Sequence, residues 1–309
     1  EVANNLLNLA IDRYEAIPII FGIDAIHGNA NAPDNTVYPT NIGLASTFDT
    51  TLAYKIARET ALEMRAMNMH WTFNPNVEVS RDARWGRVGE TYGEDPLLVS
   101  IMGRAAVKGY QRDLNSQADV LACIKHFVGG SQPVNGVNAA PADISERTLR
   151  EIFFPPFKSG VDAGAFSLMT AHNELNGVPC HKNEWLIKDI LRGEWKFKGF
   201  IIRIYWSEMV CELVKEGRIP ESRIDESVRK ILYVKFKLGL FEKPYADQAN
   251  SMKTRLSPEH RATALEAARK SIILLKNDSL LPIKSGQYKR ILVTGINAND
   301  HNILGDWSA

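Results

Sequence analysis

Five short apolar, β-branched runs, at Pro18–Ile23, Met69–Val79, Val120–Phe127, Ala165–Ala171 and Gly199–Ile204, alternate with segments of helical period near Thr51–Met67, Pro96–Arg112, Ser145–Ala163 and Glu184–Gly193. A strand followed each time by a helix that returns the chain to the same end predicts parallel pairing, since parallel strands need long crossovers. Helix starts are marked by Asp49-Thr50, by Asp95-Pro96 and by Ser145 with Thr148. Charged residues collect where the strands end. Asp24 and His27 follow IIFGI, Lys125 and His126 close the run that ends in IKHFVGG, and SRDARWGRVGETYGEDP (Ser80–Pro96) holds three arginines, four acids and a tryptophan in seventeen residues. Polar groups at strand C-terminal ends predict an α/β chain built as a (β/α) TIM-like barrel with its site on that face.

Each of these residues also has a purely structural reading. A charge run is usually a solvated salt-bridge loop; Asp24 could cap a turn, Arg81 could pair with Glu78 or Asp82, and His126 could be a satisfied core histidine. Three charged strand ends together favour a polar ligand pocket. The 37 basic and 36 acidic residues give a net charge of +1, which asks for neither nucleic acid nor an anionic membrane and suits a neutral ligand. No apolar run reaches the ~18 residues of a spanning helix, and Glu1 is not followed by a basic and apolar leader, so no signal peptide is read in this chain. Cys123, Cys180 and Cys211 are odd in number and far apart, which predicts small core residues and no disulfide framework. His27, His70, His126 and His172 lack metal-ligand spacing, so no metal or cofactor is expected.

The segments GIDAIHG, SRDARWGR, GETYGEDP, KHFVGG, HNELNGVP and VKEGRIPESRIDESVRKILYVKFKLGLFE resemble the N-terminal catalytic barrel of glycoside hydrolase family 3, the β-glucosidases and their relatives. The resemblance implies retaining hydrolysis of terminal β-linked glucose, with a small oligosaccharide or β-glucoside as substrate and a periplasmic or secreted location. It implies sugar contacts from Asp24, from Arg81 as the first arginine of its motif, and from Lys125, His126, Met169 and His172. Glu90 and Glu94 are expected to hold Arg84 and Arg87 in salt bridges.

The resemblance breaks at the nucleophile. The family places an aspartate in a Ser-Asp-Trp type motif after a GF[IV]V strand, whereas this chain reads GFIIRIYWSEMV with Ile204 at that position. Glu208 is the nearest carboxylate, four residues too late. Trp206 then runs almost directly into ELVKEGRIP, so a piece of the barrel is expected to be missing; a complete barrel of this class has eight strands in about 250 residues. The acid/base carboxylate belongs to the family's C-terminal domain. The loop of the N-acetylglucosaminidase branch, with its own histidine, does not match KHFVGGSQPVNGVNAAPADIS.

The expected organisation is therefore an incomplete barrel over residues 1–242, a linker over 243–258, and over 259–309 the beginning of an α/β sandwich with a helix at Glu259–Lys276 and a strand at Arg290–Ile296. In the amphipathic helix Ser222–Phe241, Ile224, Val228, Ile231, Leu232, Val234 and Leu238 are expected to form a core stripe. The function expected is an impaired β-glucosidase-type hydrolase. Two alternatives stand beside it: a catalytically inactive sugar-binding protein, and an aldolase-like barrel with Lys125 as a Schiff-base lysine. Unpaired sheet edges would favour a homo-oligomer.

Overall fold

The computed structural model describes residues 2–13, 17–202, 209–300, 304–305 and 307–308. In chain order the elements that build the sheet side are helix α1 (Val2–Arg13), strand β1 (Gly22–Ile23), helices α2 (Asn41–Ala45) and α3 (Thr50–Ala66), strand β2 (Trp71–Thr72), helix α4 (Pro96–Gln111) and strand β3 (Leu121–Phe127). Next come α5 (Glu146–Thr148), a π-helical turn (Leu149–Phe153), α6 (Phe154–Asp162), strand β4 (Ser167–Thr170), the hairpin β5 (Glu174–Leu175) and β6 (Val178–Pro179), a π-helix (Trp185–Glu194) and β7 (Phe200–Ile202). Helices α7 (Met209–Lys215), α8 (Glu221–Lys237), α9 (Gln248–Thr254) and α10 (Pro258–Lys270) complete the set.

Five strands pair in the order β1-β2-β3-β4-β7, all parallel, with a helical crossover between each pair. The expected five strands are these, though shorter. Pro75 lacks an amide proton and interrupts the regular ladder of the second run, yet contacts to the next strand continue, with Cys123 N donating to Asn74 O at 3.0 Å, Lys125 N to Pro75 O at 3.1 Å and Val77 N to Lys125 O at 2.9 Å. The helices begin at the expected caps. Asp49 accepts from Leu52 N at 2.9 Å, Asp95 from Leu98 N at 2.7 Å ahead of Pro96, and Ser145 from Thr148 N at 3.2 Å.

The sheet is strongly curled. Trp71 on β2 and Phe200 on β7 are three strand spacings apart, roughly 14 Å in a flat sheet, yet their ring centroids lie 5.4 Å from each other. A barrel-type α/β architecture accounts for this. Every residue of β3 is buried, as expected for a central parallel strand covered on both faces. Outside it, α3 and α4 press together where Gly109 has no side chain; a Cβ there would stand 2.4 Å from Tyr54 O. Cys123 and Cys180 are buried and unpaired with each other.

Helix α10 also docks on α3. Glu63, fully buried, accepts from Thr36 N, Thr36 Oγ1, Leu256 N and His260 Nδ1 at 2.8, 2.6, 3.2 and 2.7 Å. Thr263 Oγ1 donates to Glu59 at 2.8 Å.

Three expectations need correction. The run Arg290–Ile296 is not a strand: among the described residues no neighbouring strand offers it a ladder, and Leu292 and Ile296 stand 86% and 92% exposed, because β propensity is expressed only on a surface that packs. The helix expected to run to Lys276 stops at Lys270, and residues 243–258 contain α9, capped by Asp247. Of the stripe only Val234 in α8 and Leu238, its C-cap, are buried, against Leu114, Leu121 and Leu240, while Val228 and Ile231 are exposed. The upper part of this helix has no strand against it among the described residues.

Candidate functional site

Asp24 directly follows β1, and Lys125 and His126 occupy the last turn of pairing in β3, so the sheet delivers all three to its C-terminal end. They border one cavity of about 760 Å³. Lys125 is nearly fully buried and its Nζ donates to Asp24 Oδ1 at 2.6 Å; the Asp24 side chain keeps 29% exposure and faces the opening. The Asp24 backbone oxygen is held by Asn31 Nδ2 at 2.8 Å.

A second ion pair borders the same cavity. Arg87 grips Glu90 with Nε at 2.7 Å and a terminal nitrogen at 2.8 Å, the fork geometry that matches guanidinium to carboxylate. The same terminal nitrogen lies 3.2 Å from His126 Nε2, and His126 Nδ1 lies 2.8 Å from Glu78 Oε2. Burial, and then the charges of Arg87 and Lys125, push His126 well below the usual imidazole range. For Glu90 burial pulls upward, but the hydrogen bonds and charge of Arg87 outweigh it and the carboxyl is lowered. Burial raises Glu78, behind the pocket, to about 8.

The walls are apolar: Trp71, Phe73, Met169, Ile202 and Trp307. Trp71 is fixed by Nε1 donating to Ser167 Oγ at 2.9 Å, and the Trp307 ring centroid stands 5.8 Å from Lys125 Nζ. Charged donors and acceptors set among flat apolar surfaces suit a pyranose, which presents hydroxyls at its rim and C–H groups on its faces. Among the described residues no cluster of three or more His, Cys, Asp or Glu side chains could hold a metal ion.

The structure thus brings together Asp24, Lys125, His126 and Met169, and it removes Arg81. That side chain is exposed and lines a separate cleft with Glu94, Asp95 and Phe48. The reason is local: Trp85 N bonds Asp82 O and Thr91 N bonds Val88 O, so the loop doubles back and carries Arg87, its last arginine, against His126. Buried Trp85 anchors the turn through Nε1 to Asn138 Oδ1 at 3.1 Å. Glu90 does hold Arg87, but Arg84 pairs with Asp82 at 2.7 Å and Glu94 lies in the other cleft. His172 stands beside the pocket, its ring 6.4 Å from that of His126, and burial followed by the Arg87 charge lowers its pKa. Ile204 and Glu208 lie outside the described residues.

Sequence reasoning missed Arg87 as a pocket residue, and also Trp71, Phe73, Asn138 and Trp307. The signal for Arg87 was the glutamate three residues on, the spacing of a turn-borne ion pair.

The chain is similar in sequence and fold to known proteins. The model of the glycosyl hydrolase family 3 N-terminal domain matches residues 2–209. A β-xylosidase of Formosa agariphila is 36% identical over 364 positions, covering 99% of this chain and 50% of that protein. A periplasmic β-glucosidase of Salmonella typhimurium is 34% identical, covering 97% and 44%. The crystal structure of a β-glucosidase from Listeria innocua in complex with glucose superposes with a TM-score of 0.84 at 32% identity, over 91% of this chain and 44% of that one. The chain spans about half the length of the curated relatives it matches. With its family model matched over most of the chain and its parallel sheet shared with solved members, the chain belongs to glycosyl hydrolase family 3.

Proposed function

We propose that the pocket binds the terminal glucose or xylose unit of a small β-glycoside, and that this chain, as it stands, holds the sugar with no more than background hydrolysis. The observation that carries the binding half is the convergence of Asp24, Lys125, His126 and the Arg87–Glu90 pair on one cavity at the strand ends. Relatives named for glucosides and for xylosides support both sugars, and the periplasmic relative supports an exported location.

Retaining hydrolysis needs two carboxyl groups about 5–5.5 Å apart, one ionised as nucleophile and one protonated as acid. Among the described residues the pocket carboxylates are Asp24 and Glu90, each tied to a cation, and neither suits the acid. The segment GFIIRIYWSEMV has no aspartate at the family's nucleophile position. The Formosa alignment runs over 364 positions against the 309 residues of this chain, which supports a missing internal piece.

Purified chain incubated with aryl β-glucoside and β-xyloside is expected to show background rates. Robust turnover, with a covalent label on Glu208, would overturn the impaired half of the proposal. Glucose binding without turnover also fits a dedicated sugar-binding protein. The Schiff-base alternative is disfavoured by the 2.6 Å contact of Lys125 with Asp24, since an ion pair works against the neutral amine this chemistry requires.

A further inference from the structure

Behind the pocket, two buried acceptors face one small space. Glu78 is 2% exposed; its Oε2 meets His126 Nδ1 at 2.8 Å, while Oε1 has no hydrogen-bond partner among the described residues. Asn173, 1% exposed, leaves Oδ1 in the same condition. Its Nδ2 donates to Glu174 O at 3.0 Å, which fixes which way the amide points. Gly130 sits between them: a Cβ there would lie 2.8 Å from Glu78 Oε1 and 3.3 Å from Asn173 Oδ1. Two buried acceptors without donors are costly, and one proton between them removes the cost.

The other end of the network sets its direction. Arg87 offers donors only, so His126 Nε2, at 3.2 Å, must present its lone pair. The single ring proton then sits on Nδ1 and points at Glu78 Oε2. An imidazolium would set one donor against another.

We propose that Glu78 is a positioning residue of the sugar pocket: with a proton on Oε1 it completes a one-way chain of hydrogen bonds from Arg87 through His126 and Glu78 to Asn173, holding His126 as the Nδ1–H tautomer. The proposal rests on reading the cavity as a sugar site. Burial raises Glu78 to about 8 although the cations Arg87 and Lys125 pull it down, with Glu90 adding to the rise, and His126 is lowered; both directions agree with the chain. No covalent step is involved. Glu78 acts through His126 and Arg87, which border the ligand.

The test compares Glu78→Gln with Glu78→Leu in the full chain. A glutamine reproduces the neutral acid, its amide oxygen accepting from His126 and its nitrogen donating to Asn173; a leucine does neither. In nitrogen-15 spectra of the histidine rings, the unaltered protein and Glu78→Gln are expected to show His126 neutral and protonated on Nδ1. An infrared band of a protonated carboxyl is expected in the unaltered protein and lost in Glu78→Gln. Glucose affinity should stay within about threefold in Glu78→Gln and weaken about tenfold or more in Glu78→Leu. An imidazolium at His126, or Glu78→Gln as damaging as Glu78→Leu, would overturn the proposal. If the unaltered chain binds no glucose, the sugar reading of the pocket falls, and the ring and infrared spectra still decide the role of Glu78.

Discussion

Removing Asp24 should harm stability far more than removing the lysine it pairs with. The Lys125 side chain is 2% exposed and that of Asp24 29%, so the two single variants leave different orphans. In Asp24→Ala a buried ammonium loses its carboxylate, and stranding one member of a buried pair costs about 3–5 kcal/mol. The Trp307 ring at 5.8 Å is in place before and after the substitution and cancels from the difference. The net loss stays at about 3–5 kcal/mol. In Lys125→Met the thioether fills the space of the lysine stem, and Asp24 turns to solvent at a cost of about 1 kcal/mol or less. Thermal melts and urea titrations read the difference, at about 2–4 °C per kcal/mol for a large domain. The double variant should recover much of what Asp24→Ala loses, because it deletes the stranded charge. Equal losses in the two single variants, or a harmless Asp24→Ala, would refute the reasoning.

Other consequences follow from the same geometry. Glu63→Ala strands the four donors that Glu63 gathers from Thr36, Leu256 and His260; stability should fall by about 3 kcal/mol or more, and hydrogen exchange should accelerate first around Leu256 and α10. The raised Glu78 keeps a proton in the folded state that the unfolded chain releases, so its contribution is full below pH 4.5 and is lost as pH rises toward about 8. His126, being lowered, has the opposite sense, contributing above its ordinary 6.5 and losing that as pH falls. A stability-versus-pH series with Glu78→Gln should therefore remove the fall in stability between pH 4.5 and about 8 and leave the His126 contribution in place; an unchanged profile would contradict it. Exposed Ile291, Leu292, Val293 and Ile296, with β7 last in the sheet order among the described residues, predict binding of an apolar dye and self-association by light scattering. A monodisperse monomer with no dye binding and one sharp melt would argue against both.

The parallel α/β architecture was legible because each strand-helix boundary carries its own chemistry: Asp49, Asp95-Pro96 and Ser145 stop the chain from continuing as strand or loop and start the helices where expected. That Asp24, Lys125 and His126 lie near one another was legible because the C-terminal ends of parallel strands line up along one edge of the sheet. The loop's sequence does not distinguish its three arginines, and it is the turn burying Trp85 that brings Arg87 to this cavity and leaves Arg81 on a separate cleft. Trp307 lies far along the chain from the residues it approaches, and nothing local marks it. The segment Arg290–Ile296 has the composition of a strand, but a strand exists only with a neighbour. The exposed half of α8 teaches the same point for helices: a stripe at the right spacing becomes core only when something covers it.

The most direct test of the account is calorimetric titration of the unaltered chain and of Lys125→Met with glucose. The account predicts saturable binding to the unaltered chain and binding weakened about tenfold or more in Lys125→Met, with that variant still folded. No binding by the unaltered chain, or unchanged affinity in a folded Lys125→Met, would contradict the assignment of this pocket to the sugar.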